Sequence, residues 1–445
     1  MAKQTKVKKP AIQADKANTK IYRYLIAFPV LAFLIKMIVM FNLQGGGWYG
    51  ADGENYTAGL DGLLNSGFFS EEPKLSYWPA GYPLLLWPLA ELTVSKLFYL
   101  ISIIQTLFFA YATYFFTTVL RKSSLKKFAF LTSLVISFNP TLSLSTLAVG
   151  YEAPIAACFM MIIGLTIKLH SADTNEKFWL VMAGVAGWFA LAIFMQPRFL
   201  LVGALYFLYW IIKTRTIKVL ALTLALSGAI MAIGPAIMIY RNSQVIDQAT
   251  ISTNLGVTMA IGAGDETSGG YGRTGPEVPC APKSPATAVT DNERVRCVIE
   301  WYLANPVKTI KLSYNKSQFF WSPWSGPLAD GTMARNPWLK IAPTQNIRKT
   351  QDGANLVNGN IGKAISYLWI LGQLILLFWG FIAIRRIGVF EKIFSNLVLL
   401  PIVVSWLISI GTIGDHRFRI PTMSLSLFLQ AAAFISIREK TTKAL

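Results

Sequence analysis

An all-α polytopic membrane protein is what this sequence predicts, and three observations predict it. Of 445 residues, 53% are hydrophobic and only 14% charged, against roughly a quarter charged in a soluble chain. Apolar runs of about 20 residues, the length that crosses a bilayer as a helix, recur along the whole chain. The basic residues behind the net charge of +19 sit in short segments between those runs, which is how the positive-inside bias shows itself. That placement argues against a nucleic-acid-binding face, whose cations gather on one stripe of a folded domain.

Ten spans follow, near 22–41, 97–120, 128–146, 153–169, 179–196, 198–213, 218–240, 364–384, 394–413 and 419–437. A basic tail, residues 1–21 with Lys3, Lys6, Lys8, Lys9, Lys16 and Lys20, leads into the first. No small-residue cleavage site follows that run, so it reads as a retained anchor. With the amino terminus in the cytoplasm, an even number of spans returns the carboxyl terminus there. Arg121, Lys122, Lys126, Lys127, Lys213, Arg215, Lys218, Arg385, Arg386, Arg438, Lys440 and Lys443 then all lie inside. The short outer loops keep few cations: Lys74, Lys96, Arg198, Arg417 and Arg419. Gln196-Pro197-Arg198 divides 179–213 into two short spans with a tight outer turn, because that tripeptide is costly at mid-membrane. The expected setting is the plasma membrane.

Residues 22–240 therefore form a first transmembrane module, 241–363 an extracytoplasmic loop domain, and 364–445 the last helices with a short cytoplasmic tail. The first outer loop, 42–96, ends in an apolar stretch, 82–92, that is too short to span and holds Pro83 and Pro88. It reads as an interfacial helix, with Tyr77, Trp78, Tyr82 and Trp87 at headgroup depth. The polar 241–363 segment is too long for a plain connection, and 291–318 is its helical part. IGAGDETSGGYG (261–272) lacks the strand–turn–helix setting of a nucleotide loop and reads as an ordinary one. Cys158 lies in an apolar run as packing. Cys280 and Cys297 share the outer segment, where either a disulfide or two free thiols is consistent with the sequence.

Polar groups far apart in sequence converge on the outer face. Asp52 and Glu54 follow the first span in GGGWYGADGENYTAGLDG. Glu152 lies in AVGYEAP, Arg198 in MQPRF, Arg241 in IGPAIMIYRN, and Asp415, His416, Arg417 and Arg419 in GDHRFRIP. Charges at membrane depth are expensive unless they face a cavity or a partner, so together they mark a candidate site. A carboxylate can take the proton from an acceptor hydroxyl or amine. Guanidinium groups can bind and neutralise a leaving phosphate. Carboxylates beside arginines at the headgroup plane therefore suit group transfer from a lipid-phosphate donor that enters sideways through the bilayer.

Taken in order, these motifs resemble the GT-C glycosyltransferases that use polyprenyl-phosphate sugars, especially the protein mannosyltransferase and aminoarabinose transferase branch. ADGENY followed by PAGYP (79–83) is similar to that family's first outer loop, YEAP (151–154) to its second acidic position, and GDHRFRIP to its last turn. Two departures stand out: Asp-Gly-Glu replaces adjacent acids, and Pro197-Arg198 stands in reversed order. The resemblance implies a GT-C-like bundle with Asp52 as catalytic base and Glu152 as an accessory catalytic carboxylate. It also implies that Arg417 and Arg419 face the donor phosphate, and the candidate substrate-binding set read with them is Glu54, Tyr82, Arg198, Arg241 and His416. The partners it implies are a polyprenyl-phosphate-linked sugar, membrane lipid, and a glycan, lipid or protein acceptor.

Each residue also has a structural reading. Asp52 can cap an interfacial helix, Glu152 can sit at a helix amino terminus for its dipole, and the arginines can anchor helix ends to headgroups. No cofactor is expected and no obligatory metal is favoured: Asp52 with Glu54 could hold a divalent ion together with a phosphate, but two carboxylates alone make a poor cage, and His416 has no second ligand nearby for zinc. Two other functions stay open. A lipid-linked oligosaccharide polymerase or ligase would need a diphosphate donor. A transporter would carry charged or broken helices at the bilayer centre, where only Lys36 is found.

Overall fold

The computed structural model describes residues 13–43, 52–170, 175–214, 217–265, 267–270, 290–323, 346, 350–352 and 359–444. Helix α1, Gln13–Ile38, continues as a π turn over Val39–Leu43. Three short helices follow: α2 (Gly53–Ser66), α3 (Pro73–Tyr77) and α4 (Gly81–Leu92). Then come α5 (Leu97–Arg121), α6 (Ala129–Phe138), α7 (Pro140–Leu144), α8 (Glu152–His170), α9 (Asn175–Met195), α10 (Phe199–Thr214) and α11 (Ile217–Val245). Helices α12 (Leu255–Ile261), α13 (Asp291–Ala304) and α14 (Pro306–Trp321) precede the last long ones, α15 (Asn360–Arg385), α16 (Val389–Gly411) and α17 (Met423–Ala444).

By length and composition, eight helices of the described residues can cross a membrane, nine if the pair Lys126–Phe138 and Pro140–Leu147 is one span bent by 54°. With the shorter apolar helix Phe199–Trp210, each of the ten expected stretches has its helix. The chain is a multi-pass membrane protein. The bend has a local cause. Asn139 leaves helical geometry, its Oδ1 accepts the Leu142 N–H at 2.9 Å, and Pro140 starts the next helix without a donor.

Inside lipid every polar group needs a partner within the protein. Thr113 and Thr117 on α5 donate to the carbonyls four residues back, at 2.9 and 2.8 Å. The Thr166 and Tyr206 hydroxyls meet at 2.6 Å across α8 and α10. Helix α8 is the central one, buried nearly all round and packed between α5, α9 and the segment after α16. Its mostly small and apolar first half, EAPIAACFMM, permits that enclosure.

The two ends of the bundle differ. One end holds the Lys127–Glu439 pair at 2.6 Å, the Ser124–Glu391 hydrogen bond, and His170 stacked on Phe390 at 3.8 Å. At the other end lie α2–α4, the turns before α8 and α10, and α12–α14. The sequence predicts some helix near 291–318, and the structure has two there, α13 and α14, separated at Asn305-Pro306. Proline is favoured at the first position of α14 and would interrupt a continuous helix. A capping box opens α13, with Thr290 Oγ1 accepting from Glu293 N at 3.3 Å and the Glu293 carboxylate accepting from Thr290 N at 2.8 Å. Cys297 on α13 is disulfide-bonded, and Cys280 lies outside the described residues, as do parts of 261–272.

Candidate functional site

Asp52 stands immediately before α2 and is buried, yet its side chain makes no capping hydrogen bond to that helix. Glu152 is the first residue of α8 and is also buried. Both carboxylates turn to the same guanidinium. Arg417 donates through Nη1 to Asp52 Oδ2 and through Nε to Glu152 Oε1. The Arg417 guanidinium also lies 5.2 Å from the centre of the Tyr151 ring. Three segments separated by hundreds of residues are thus joined by one buried cation.

Each partner is held by its own turn. Asp415 Oδ1 accepts the Arg417 N–H at 2.8 Å and so starts the 3₁₀ segment His416–Thr422 that aims Arg417 inward. Glu152 depends on Gly150, since a Cβ there would stand 2.5 Å from Glu152 Oε2. The Tyr82 hydroxyl accepts the Gly150 N–H at 2.9 Å and donates to Gln105 Oε1 at 3.3 Å, while Gln105 Nε2 donates to Ala148 O at 3.0 Å. Tyr82 is therefore a strut behind the Glu152 turn.

A cavity of ≈ 530 Å³ opens beside this cluster. Asp52, Tyr151, Arg198, Asp415, Arg417 and Phe418 line one side of it. Asp52 Oδ1 makes no hydrogen bond among the described residues. Arg198 is the other cation of this wall, half-buried, with its guanidinium 4.2 Å from the Phe418 ring centre and 5.8 Å from that of Tyr151. Its Nε and Nη2 are buried without a hydrogen-bond partner among the described residues. Burial pulls this guanidinium below its usual range. The rest of the lining mixes Trp78, Thr250, Ser252, Asn254 and Asp291 with apolar Ile239, Ile251, Leu255 and Ile408. Trp78 Nε1 is likewise buried and unpartnered among the described residues.

The other expected site residues lie off the cavity. Arg241 pins the loop between α2 and α3, donating to Phe68 O at 3.1 Å, to Ser76 Oγ at 3.2 Å and to Ser70 O. Arg419 donates to Trp321 O at 3.2 Å, Gln373 Oε1 at 2.7 Å and Ser322 O at 3.3 Å, fastening α14 and α15 to the segment after α16. His416 is wholly buried, with Nδ1 3.7 Å from Asp415 Oδ1. Glu54 is exposed in the first turn of α2. Among the described residues no three His, Cys, Asp or Glu side chains gather as a metal-ligand set.

No protein-family model matches the chain, and no curated protein matches it. Solved structures do. The apo oligosaccharyltransferase of Archaeoglobus fulgidus aligns with a TM-score of 0.50 over 94% of this chain and 51% of that one, at 11% identity. The fold is GT-C-like. A second structure, the oligosaccharyltransferase AglB of the same organism in complex with an inhibitory peptide and a dolichol-phosphate, aligns with a TM-score of 0.47 at 11% identity, over 94% of this chain and 50% of that one. The chain spans about half the length of these structures.

Within this GT-C-like frame, Tyr151 and Phe418 are the residues that sequence reasoning passed over. Tyr151 sits between two guanidiniums and was visible only as the aromatic neighbour of Glu152 in YEAP. Phe418 alternates with Arg417 and Arg419 in HRFRIP, and its ring covers Arg198 from a different helix, which no local pattern records. Chemically the lining offers a carboxylate oxygen, a guanidinium with two nitrogens unpartnered among the described residues and aromatic faces around a space large enough for a sugar phosphate.

Proposed function

We propose that the chain is an integral membrane glycosyltransferase that moves a sugar from a polyprenyl-phosphate donor to an extracytoplasmic glycan, lipid or protein acceptor. The observation that carries this reading is that Asp52 lines the same cavity as Arg198, whose Nε and Nη2 have no hydrogen-bond partner among the described residues. Asp52 takes the proton from the acceptor hydroxyl or amine as it attacks the anomeric carbon. The bond from that carbon to the phosphate oxygen breaks on the opposite face, with inversion. The phosphate leaves with its charge met by Arg198 and by the cavity side of Arg417. Glu152 holds Arg417 from behind, and Ile239, Ile251, Leu255 and Ile408 provide apolar surface for the first isoprene units. The accumulation of Lys and Arg at the opposite end of the bundle supports an extracytoplasmic orientation of this cavity.

The test uses the purified protein in liposomes with polyprenyl-monophosphate and polyprenyl-diphosphate sugars. Transfer from the monophosphate, abolished by Asp52→Asn, supports the reading. An Asp52→Asn variant with normal turnover removes Asp52 as base. Transfer from the diphosphate alone moves the chain to the polymerase or ligase class, and movement of substrate without bond cleavage makes it a transporter.

A further inference from the structure

The carboxyl end of α16 lies next to the cavity, and its last carbonyls have no helical N–H to accept from. Ile408 O is satisfied locally, by Thr412 N at 2.9 Å and Thr412 Oγ1 at 2.7 Å. Ile413 O accepts from Ser409 Oγ at 2.9 Å. The carbonyls of Ile410, Gly411 and Thr412 are served by side chains of α13 and α14. Lys316 on α14 sends its Nζ to Ile410 O at 3.0 Å and Thr412 O at 2.7 Å, and its third donor to the Tyr302 hydroxyl at 2.9 Å. The Tyr302 hydroxyl donates in turn to Gly411 O at 3.4 Å. Lys316 is only 1% exposed, and an ammonium at a helix carboxyl end is also favoured by the helix dipole.

The segment held in this way is the one that carries the site. Ile408, Thr412, Ile413, Asp415 and Arg417 all line the cavity. The chain is also closely fitted to Lys316. A Cβ on Gly414 would stand 2.7 Å from Lys316 Cα, and one on Gly269, at φ +88, 2.9 Å from Lys316 Cγ. Gly414 N donates to Gly269 O at 2.8 Å. One residue later Asp415 caps the 3₁₀ segment, and two residues after that Arg417 reaches Asp52 and Glu152. A run of direct contacts therefore leads from the α13–α14 pair to the guanidinium between the two carboxylates.

We infer that Lys316 is a positioning residue for the active site: by capping the end of α16 from the loop domain, it sets the register of the turn that presents Arg417 to Asp52 and Glu152. The inference rests on the glycosyltransferase reading for its kinetic consequence and on the geometry alone for its structural one. A misplacement of a catalytic group by about 1 Å costs roughly 10²-fold in rate, so loss of the clamp lowers kcat by more than it raises the donor KM, because Arg198 stands on another turn and meets this segment only through the Phe418 ring.

The experiment compares wild type, Lys316→Met, Lys316→Arg and the milder Tyr302→Phe in liposomes, by steady-state kinetics and by amide hydrogen exchange. In Lys316→Met, kcat falls about 10²-fold and exchange quickens in peptides covering 408–420, with peptides from α5 and α8 unchanged. Lys316→Arg, which keeps a cation and several donors, recovers most of kcat, and Tyr302→Phe loses only a few-fold. Wild-type kcat in Lys316→Met overturns the inference, as does exchange in 408–420 that does not respond. Faster exchange throughout the bundle reduces Lys316 to a general stability role and also overturns it. If the wild type transfers no sugar from any lipid donor, the enzyme reading fails while the exchange measurement still decides the clamp.

Discussion

Asp52 and Arg417 meet at the wall of the cavity although 365 residues separate them in the chain, and the same guanidinium is shared with Glu152. Two carboxylates facing each other in a buried site repel. Arg417 cancels that repulsion and fixes their spacing, because the planar fork reaches both through different nitrogens.

Lysine does not reproduce this geometry. Arg417→Lys keeps one charge but not the two-sided reach, so kcat falls on the order of 10²-fold with the protein still folded. Arg417→Met leaves two buried carboxylates without their cation, an arrangement that costs on the order of 3–5 kcal/mol. It should lower the thermal midpoint of detergent-solubilised protein sharply. A Met variant as stable as wild type would show that the carboxylates do not depend on Arg417.

Arg198 should behave in the opposite way. Its Nε and Nη2 bond to nothing among the described residues, so its burial carries a desolvation cost that the ring contacts with Phe418 and Tyr151 offset only in part. Arg198→Met replaces the guanidinium by an apolar chain of similar length against Phe418 and Tyr151. It should raise the thermal midpoint by an amount equivalent to about 1 kcal/mol or more and increase the donor KM at least tenfold. Loss of stability together with an unchanged KM would show that the guanidinium serves packing and not the donor phosphate.

These two arginines show how far the sequence could be read. The spans were legible because lipid imposes apolar length on every helix, and each of the ten stretches has its helix. The convergence of Asp52, Glu152, Arg198 and Arg417 was legible because span counting assigns all four to one face. What each arginine does was not. Arg417, Arg419 and Arg241 look alike as loop cations, yet one bridges carboxylates and the others bond to main-chain carbonyls and neutral side chains. That difference depends on which distant backbone comes within 3 Å, and hydropathy carries no trace of it. Lys316 left a faint sign. It stands four residues after Leu312 and three before Phe319, on the buried stripe of α14, where a lysine needs a partner to be tolerated.

Tyr82 carries a prediction about the Glu152 turn. Its hydroxyl is the partner of the buried Gly150 N–H. Tyr82→Phe keeps the ring against Tyr56, whose centre is 5.0 Å away, but leaves that donor unpaired, at a cost of about 1–3 kcal/mol. The thermal midpoint should fall, and kcat should fall by less than in Asp52→Asn, because Tyr82 touches the turn and not the cavity. A larger kinetic loss with no change in stability would assign Tyr82 to the substrate instead.

The pH dependence turns on Lys316. Burial lowers its ammonium from 10.5 to about 7. The titratable group it touches, Tyr302, is pushed up to about 12 and stays neutral. Asp415 and His416 lie just beyond Gly414, and the exposed Lys308–Asp265 pair is two turns away along α14. Above about pH 7 the folded protein loses a proton that the unfolded chain keeps up to about 10.5. Where the unfolded state binds more protons, stability rises with pH, so between these values this lysine makes the fold more stable, not less. Activity should move the other way. The neutral amine has two N–H groups for three acceptors, and the turn carrying Arg417 loses one of its ties. A kcat that declines above pH 7 while the thermal midpoint holds or rises, with the decline absent in Lys316→Arg, is the expected outcome. Parallel decline of both quantities would mean that the alkaline limb comes from general unfolding and that the clamp does not titrate in this range.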